Sequence, residues 1–269
     1  MSLNFIFITK NPDLATFAES CGVGRIMVDL ETMGKKERQG HLNTLMSEHS
    51  IFDVHAVREV VESAELVVRV NPLHDESTRE IDDVIAAGAD IIMLPMIQSY
   101  EDVIEIGSII RGRAKLLPLI ETCASLECCG AISDLECVDE IHFGLNDLHL
   151  ELGLTFMFEL YSNGMIEAAS KKLKKPFGIG GVSRCDDGIV PGRSVIAEHA
   201  NLGSTGVILS RSFHGQARSV DEITENIDFQ SEISALTSVY EASLMLDSKS
   251  KFETRLELYT KIESFVERH

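Results

Sequence analysis

Eight short runs of branched and aliphatic residues recur along this chain, each followed by a segment with helical signals. That alternation constrains the fold more than any other feature. The runs are NFIFIT (4–9), RIMVDLE (25–31), ELVVRV (65–70), DIIMLPM (90–96), KLLPLIE (115–121), EIHFGLND (140–147), FGIGGV (177–182) and GVILS (206–210). Each is near-continuously apolar, as strands covered on both faces are. Strand alternating with helix implies parallel pairing. Eight such units close into a (β/α)8 TIM barrel, the expected fold. A doubly wound open sheet competes, but no G-x-G-x-x-G follows the first run, and GIGG at 178–181 comes too late to serve as one.

Local signals agree. Asn11 suits an N-cap, Pro12 a first helical turn and Gly22 a helix stop. Ser99 and Asp102 have capping-box spacing. After residue 218 the pattern changes to helical spacing alone, with Ile233, Leu236 and Val239, then Leu256, Tyr259, Ile262 and Val266, on apolar stripes. The expected organisation is a barrel domain over 1–218 and a helical extension over 219–269, packed on its own barrel or on a neighbouring subunit.

With 269 residues, 44% of them hydrophobic, the chain can bury one large core or two modest ones. A formal charge of −19 without a long basic run argues against nucleic acid and anionic membranes as partners. No stretch reaches the ~20 apolar residues of a membrane span, and the opening MSLNFIFITKN lacks a signal peptide's basic start. A cytoplasmic protein is the expectation. The six cysteines show no C-x-x-C pair, so they are read as reduced thiols.

Barrels place their chemistry at the C-terminal ends of the strands. Here several runs end in charge. Met27, Asp29 and Glu31 share one face; so do Val67 and Arg69; so do Leu117, Leu119 and Glu121; and, continuing the same alternation, Phe143, Leu145 and Asp147. If those faces point inward, four carboxylates and one arginine converge at one mouth. His142 then falls on the opposite face as a packing histidine. Crowded carboxylates repel one another, and a divalent cation resolves the conflict. Oxygen ligands suit Mg²⁺ or Mn²⁺, with Glu121 and Asp147 as the chosen pair. The structural alternative for each acid is a helix cap or first-turn acid. His149 and Glu151 are expected in a surface loop.

The stretches RIMVDLE, VVRVNPL, GADIIMLPMIQSYEDV, PLIET and IHFGLNDLHLELG, in that order, resemble the HpcH/HpaI aldolase and citrate lyase β-subunit family of the phosphoenolpyruvate/pyruvate barrel superfamily. The resemblance spans roughly residues 3–215 and leaves the terminal helices outside. It implies that Glu121 and Asp147 hold Mg²⁺ or a similar ion, that Arg69 contacts a 2-oxo acid, and that main-chain N–H groups around Leu145, Asn146 and Asp147 hold its carboxylate. The implied activity is carbon–carbon cleavage through a pyruvate-like enolate, in a homo-oligomer (trimer or hexamer). Stabilisation of an enolate by a metal and a guanidinium is chemically consistent with that set.

Two departures bear on the mechanism. Thr32 in DLETMGKK stands where the aldolases of the family carry a histidine, so Asp29, Glu31 or a metal-bound water becomes the expected base. Leu119 replaces a polar residue of some aldolases, which draws the chain toward the citrate-lyase-like branch. An acyl-CoA thioester lyase of malyl or citramalyl type is therefore an alternative, with Lys35, Lys36 and Arg38 as candidate phosphate contacts. A non-catalytic family member is the other.

Overall fold

In the computed structural model, residues 2–34 and 49–269 are described. All eight expected strands form: β1 Asn4–Ile8, β2 Arg25–Asp29, β3 Glu65–Arg69, β4 Ile91–Leu94, β5 Lys115–Ile120, β6 Ile141–Gly144, β7 Phe177–Val182 and β8 Gly206–Leu209. They pair in parallel in chain order, and β8 returns to β1 to close the barrel. Between them lie α1 Pro12–Ser20, α2 Ile51–Arg58, α3 Ser77–Ala86, α4 Tyr100–Ile110, α5 Cys123–Asp134, α6 Leu145–Glu151, α7 Glu159–Ser162, α8 Met165–Ser170 and α9 Gly192–Leu202. The capping signals act where expected: Asn11 accepts from the Asp13 N–H at 2.9 Å, and Ser99 and Asp102 form a capping box on α4.

The apolar faces divide into two cores. Ile6, Met27, Val67, Ile91, Met93, Leu117 and Leu119 pack inside the barrel, with Ile8 and Ile208 against them. The alternate residues of the same strands pack outward under the helices, which is why each run reads as continuously apolar. The barrel's N-terminal end is closed by charge. Buried Arg25 holds Glu65 at 2.9 Å and Glu140 at 2.6 Å, and Lys115 reaches Glu65 at 2.5 Å. Lys115 thus sits at the end opposite the strand-end acids, as its place at the start of its run implies.

Three further helices follow: α10 Val220–Asn226, α11 Phe229–Leu244 and α12 Ser248–Val266. Tyr240 of α11 donates to the Ser204 carbonyl at 2.8 Å, and Arg255 of α12 pairs with Glu198 of α9 at 2.9 Å. Among the described residues no helix is long and apolar enough to cross a membrane.

The sixth strand departs from expectation. It ends at Gly144, and residues 145–151 are helical. Register pairs His142 with Leu119, a residue of the inner core, while Ile141 and Phe143 join the outer core. His142 therefore points into the barrel and Phe143 out of it, the reverse of the sequence assignment. His149 and Glu151 lie on α6 and not in a loop; His149 Nδ1 meets the Leu145 carbonyl at 3.3 Å, and Glu151 accepts from the Cys123 N–H at 3.1 Å.

Candidate active site

Asp29, Arg69 and Glu121 each continue the inward alternation of their own run, two residues beyond Met27, Val67 and Leu119. Arg69 is the hub. Its Nε and Nη2 donate to the two carboxylate oxygens of Asp29, each at 2.8 Å, and its Nε lies 3.5 Å from Glu31. The Nη1 edge takes no part in these contacts. Asp29 and Glu31 are both 2% exposed, which makes this a charge group withdrawn from solvent. Burial works against the Arg69 charge, but the facing acids Asp29, Glu31 and Glu121 outweigh it and raise its pKa.

Loop contacts set the rest. Asn71, just past β3, accepts from the Thr32 N–H at 2.9 Å and the Met33 N–H at 3.0 Å, and its own amide donates to Glu80 at 2.7 Å. This tether holds the turn carrying Glu31 against β3. Thr122 caps α5 and donates to the Ile97 carbonyl at 2.6 Å, fixing the residue next to Glu121. Met96 adopts a left-handed backbone, φ 51°, unusual for its side chain, and its N–H donates to Glu121 Oε1 at 3.0 Å.

Burial pushes the Glu121 carboxyl up to about 8; Arg69 opposes the rise, Asp147 and Glu31 add to it, and the Met96 N–H resists it. Asp147 is thus electrostatically coupled to Glu121, although it stands in the first turn of α6 and not on a strand end. Leu145, Asn146 and Asp147 are the first three helical residues there. Their N–H groups lack intrahelical acceptors by position, which orients donors toward the same end of the barrel.

Gly144 makes room for this arrangement. A Cβ added there would stand 2.8 Å from both Cβ and Oε2 of Glu121. Gly144→Ala is expected to fold while displacing Glu121, lowering kcat at least tenfold in a lyase assay; unchanged kcat would show that Glu121's position is not critical.

Sequence reasoning passed over His49. It follows β2 by 20 residues, and its Nδ1 accepts the Asp29 main-chain N–H at 2.9 Å. Proximity in the chain carried no sign of this. Lys35, Lys36 and Arg38 lie outside the described residues.

A dication fits the donor set in a limited way. Among the described residues no group of three or more His, Cys, Asp or Glu is arranged to hold a metal. The coupled pair Glu121 and Asp147 instead suits an ion such as Mg²⁺, which commonly takes one or two carboxylates and fills its remaining positions with water and substrate.

Comparison with known proteins bears on the family and the fold. The sequence model of the family described as HpcH/HpaI aldolase/citrate lyase matches residues 5–171. No curated protein matches. Among solved structures, an HpcH/HpaI aldolase from Desulfitobacterium hafniense DCB-2 is similar, with 16% sequence identity and a TM-score of 0.59, over 78% of this chain and 86% of that one. At that identity the likeness speaks for the fold alone.

Proposed function

The chain belongs to the HpcH/HpaI aldolase/citrate lyase family, and from that premise we propose that it is a dication-dependent carbon–carbon lyase acting on a 2-oxo acid through a pyruvate-like enolate. The observation that carries the reading is the convergence of Arg69, Glu121 and Asp147 at one end of the barrel, with the Nη1 edge of Arg69 outside its carboxylate contacts.

In this reading Glu121 and Asp147 hold Mg²⁺ or Mn²⁺, which supplies Lewis-acid stabilisation of charge developing on the keto oxygen. Arg69 presents its remaining N–H groups to the same oxygen, and a preorganised guanidinium in a buried site needs little reorganisation as charge develops. Asp29 orients Arg69; both of its oxygens already accept from the guanidinium. The N–H groups opening α6 bind the substrate carboxylate. Proton transfer falls to Glu31 and His49. Because His49 Nδ1 accepts the Asp29 main-chain proton, its own ring proton sits on Nε2.

Metal binding carries a pH signature. A Glu121 carboxyl with its pKa pushed up to about 8 is mostly protonated at neutral pH and must lose its proton to ligate. Mn²⁺ affinity is expected to rise by up to about tenfold per pH unit below 8, with proton release seen by calorimetry in buffers of different ionisation enthalpy. Affinity flat between pH 6 and 8 would remove Glu121 from the ligand set. The lyase assignment itself is tested by pyruvate release from 4-hydroxy-2-oxo acids with added Mg²⁺ or Mn²⁺. No release by the folded protein, together with retention on a coenzyme A column, would transfer the reading to an acyl thioester.

A further inference from the structure

Beneath the strand-end acids, the β6–β8 side of the barrel interior is lined by glycine. His142 pairs in register with Gly178, and Gly144 with Gly180. Gly178 pairs in turn with Gly206. The imidazole of His142 fills part of this space: a Cβ added at Gly178 would lie 2.4 Å from its Nδ1, so the ring and the glycine require each other.

The other ring nitrogen looks toward the mouth. A Cβ at Gly180 would lie 3.5 Å from His142 Nε2, and Gly180 stands two residues further along β7 than Gly178, about 7 Å nearer the catalytic end. A Cβ at Gly144 would lie 2.8 Å from Glu121 Oε2. Paired residues on adjacent strands are about 5 Å apart, so His142 Nε2 and Glu121 Oε2 face one patch of glycine floor from two sides. His142 is 1% exposed, and its Nε2 has no hydrogen-bond partner among the described residues. A buried nitrogen left in that state is costly, and native proteins satisfy such atoms with water or ligand.

We propose that this glycine-floored well is a built subsite for one hydroxyl-sized group, an O–H hydrogen-bonded to His142 Nε2 and facing Glu121 Oε2. At Gly178 the imidazole itself fills the space. Burial pushes the His142 imidazole down to about 3, so the ring brings one donor and one acceptor and no positive charge. A neutral ring beside a carboxyl group favours a neutral O–H over an anion. That O–H is either an ordered water or the hydroxyl of an aldol-type substrate. The second source rests on the lyase reading; the occupancy of the well does not.

The test reads the ring nitrogen and not turnover. Imidazole ¹⁵N–¹H spectra are recorded on the free protein and after adding a 4-hydroxy-2-oxo acid. A hydrogen-bonded Nε2 shift in the free protein identifies water; one that appears only with the acid identifies the substrate hydroxyl. Gly180→Ala would add a methyl at ordinary contact distances, 3.5 Å from Nε2 and 3.6 Å from Ile208 Cδ1, filling the space without a clash. The hydrogen-bonded shift is expected to be lost in that variant. Independently, a crystal structure of the unsubstituted protein should show an oxygen roughly 3 Å from Nε2, and His142→Phe, which keeps a ring there, should lose it. A non-bonded Nε2 with and without the acid, or a shift untouched by Gly180→Ala, overturns the proposal. A lyase-inactive protein that still shows the Gly180→Ala loss supports the subsite while sinking the lyase reading.

Discussion

Replacing Arg69 by lysine is expected to reduce kcat by roughly a thousandfold, in line with the cost of removing a single preorganised donor to a developing oxyanion. The substitution keeps a positive charge but not the planar fork. Arg69 uses Nε and Nη2 on Asp29, at 2.8 Å each, and reaches Glu31 at 3.5 Å through Nε. An ammonium cannot hold both oxygens of a carboxylate in one plane and still aim a second edge elsewhere. The loss should therefore fall on kcat more than on KM, because the missing contact is strongest when charge has built up on the substrate. Arg69→Met should be at least as inactive and also less stable, since it leaves the buried acids Asp29 and Glu31 without their guanidinium. Steady-state kinetics alongside urea unfolding separate the two effects. Wild-type kcat in Arg69→Lys would remove the guanidinium fork from the mechanism.

The largest expected loss of stability is at the opposite end of the barrel. Arg25 is 4% exposed and holds Glu140 with two hydrogen bonds, 2.7 and 2.6 Å, and Glu65 with a third. Arg25→Met would leave both acids facing an apolar side chain. Glu65 and Glu140 remain 32% and 22% exposed, so water screens part of the cost, and about 2–3 kcal/mol is expected, below the range for a fully buried pair. Burial alone would raise the Glu65 pKa, but Lys115 and Arg25 reverse that and hold it low. A depressed carboxylate contributes stability above its unfolded pKa and loses it as pH falls through the folded value. The Arg25→Met deficit should accordingly be full near neutral pH and shrink in acid. Chemical unfolding at pH 7 and pH 4 checks both the size and the trend, and catalysis at the far end should be little changed.

Much of this architecture was legible because burial on both faces leaves a simple trace. The interior of the barrel and the helix layer both demand apolar residues, so IIML and LLPLI read as strands at once. Strand-end acids stood out against that background, and Asp29, Arg69 and Glu121 continue the inward face that alternation implied. Alternation failed at IHFGLND because the apolar pattern runs straight through a change of structure. Gly144 starts α6 without a side-chain cap, so nothing in the residues announces the helix. Which of His142 and Phe143 faces inward depends on pairing with Leu119, a contact between strands that no local pattern encodes. His49 and the Met96 N–H escaped notice for a related reason. Their partners, Asp29 and Glu121, lie 20 and 25 residues away in sequence and meet them only once the barrel closes.

If the acids and guanidinium at this mouth stabilise an enolate of a 2-oxo acid, they speed loss of a methyl proton from pyruvate. The direct measurement is exchange of pyruvate methyl protons into deuterated water, followed by proton NMR with added Mg²⁺ or Mn²⁺. Metal-dependent exchange is expected from the unsubstituted protein, falling to background in Glu121→Ala. Folded protein that exchanges no protons with either metal, or exchange that survives Glu121→Ala intact, would contradict it.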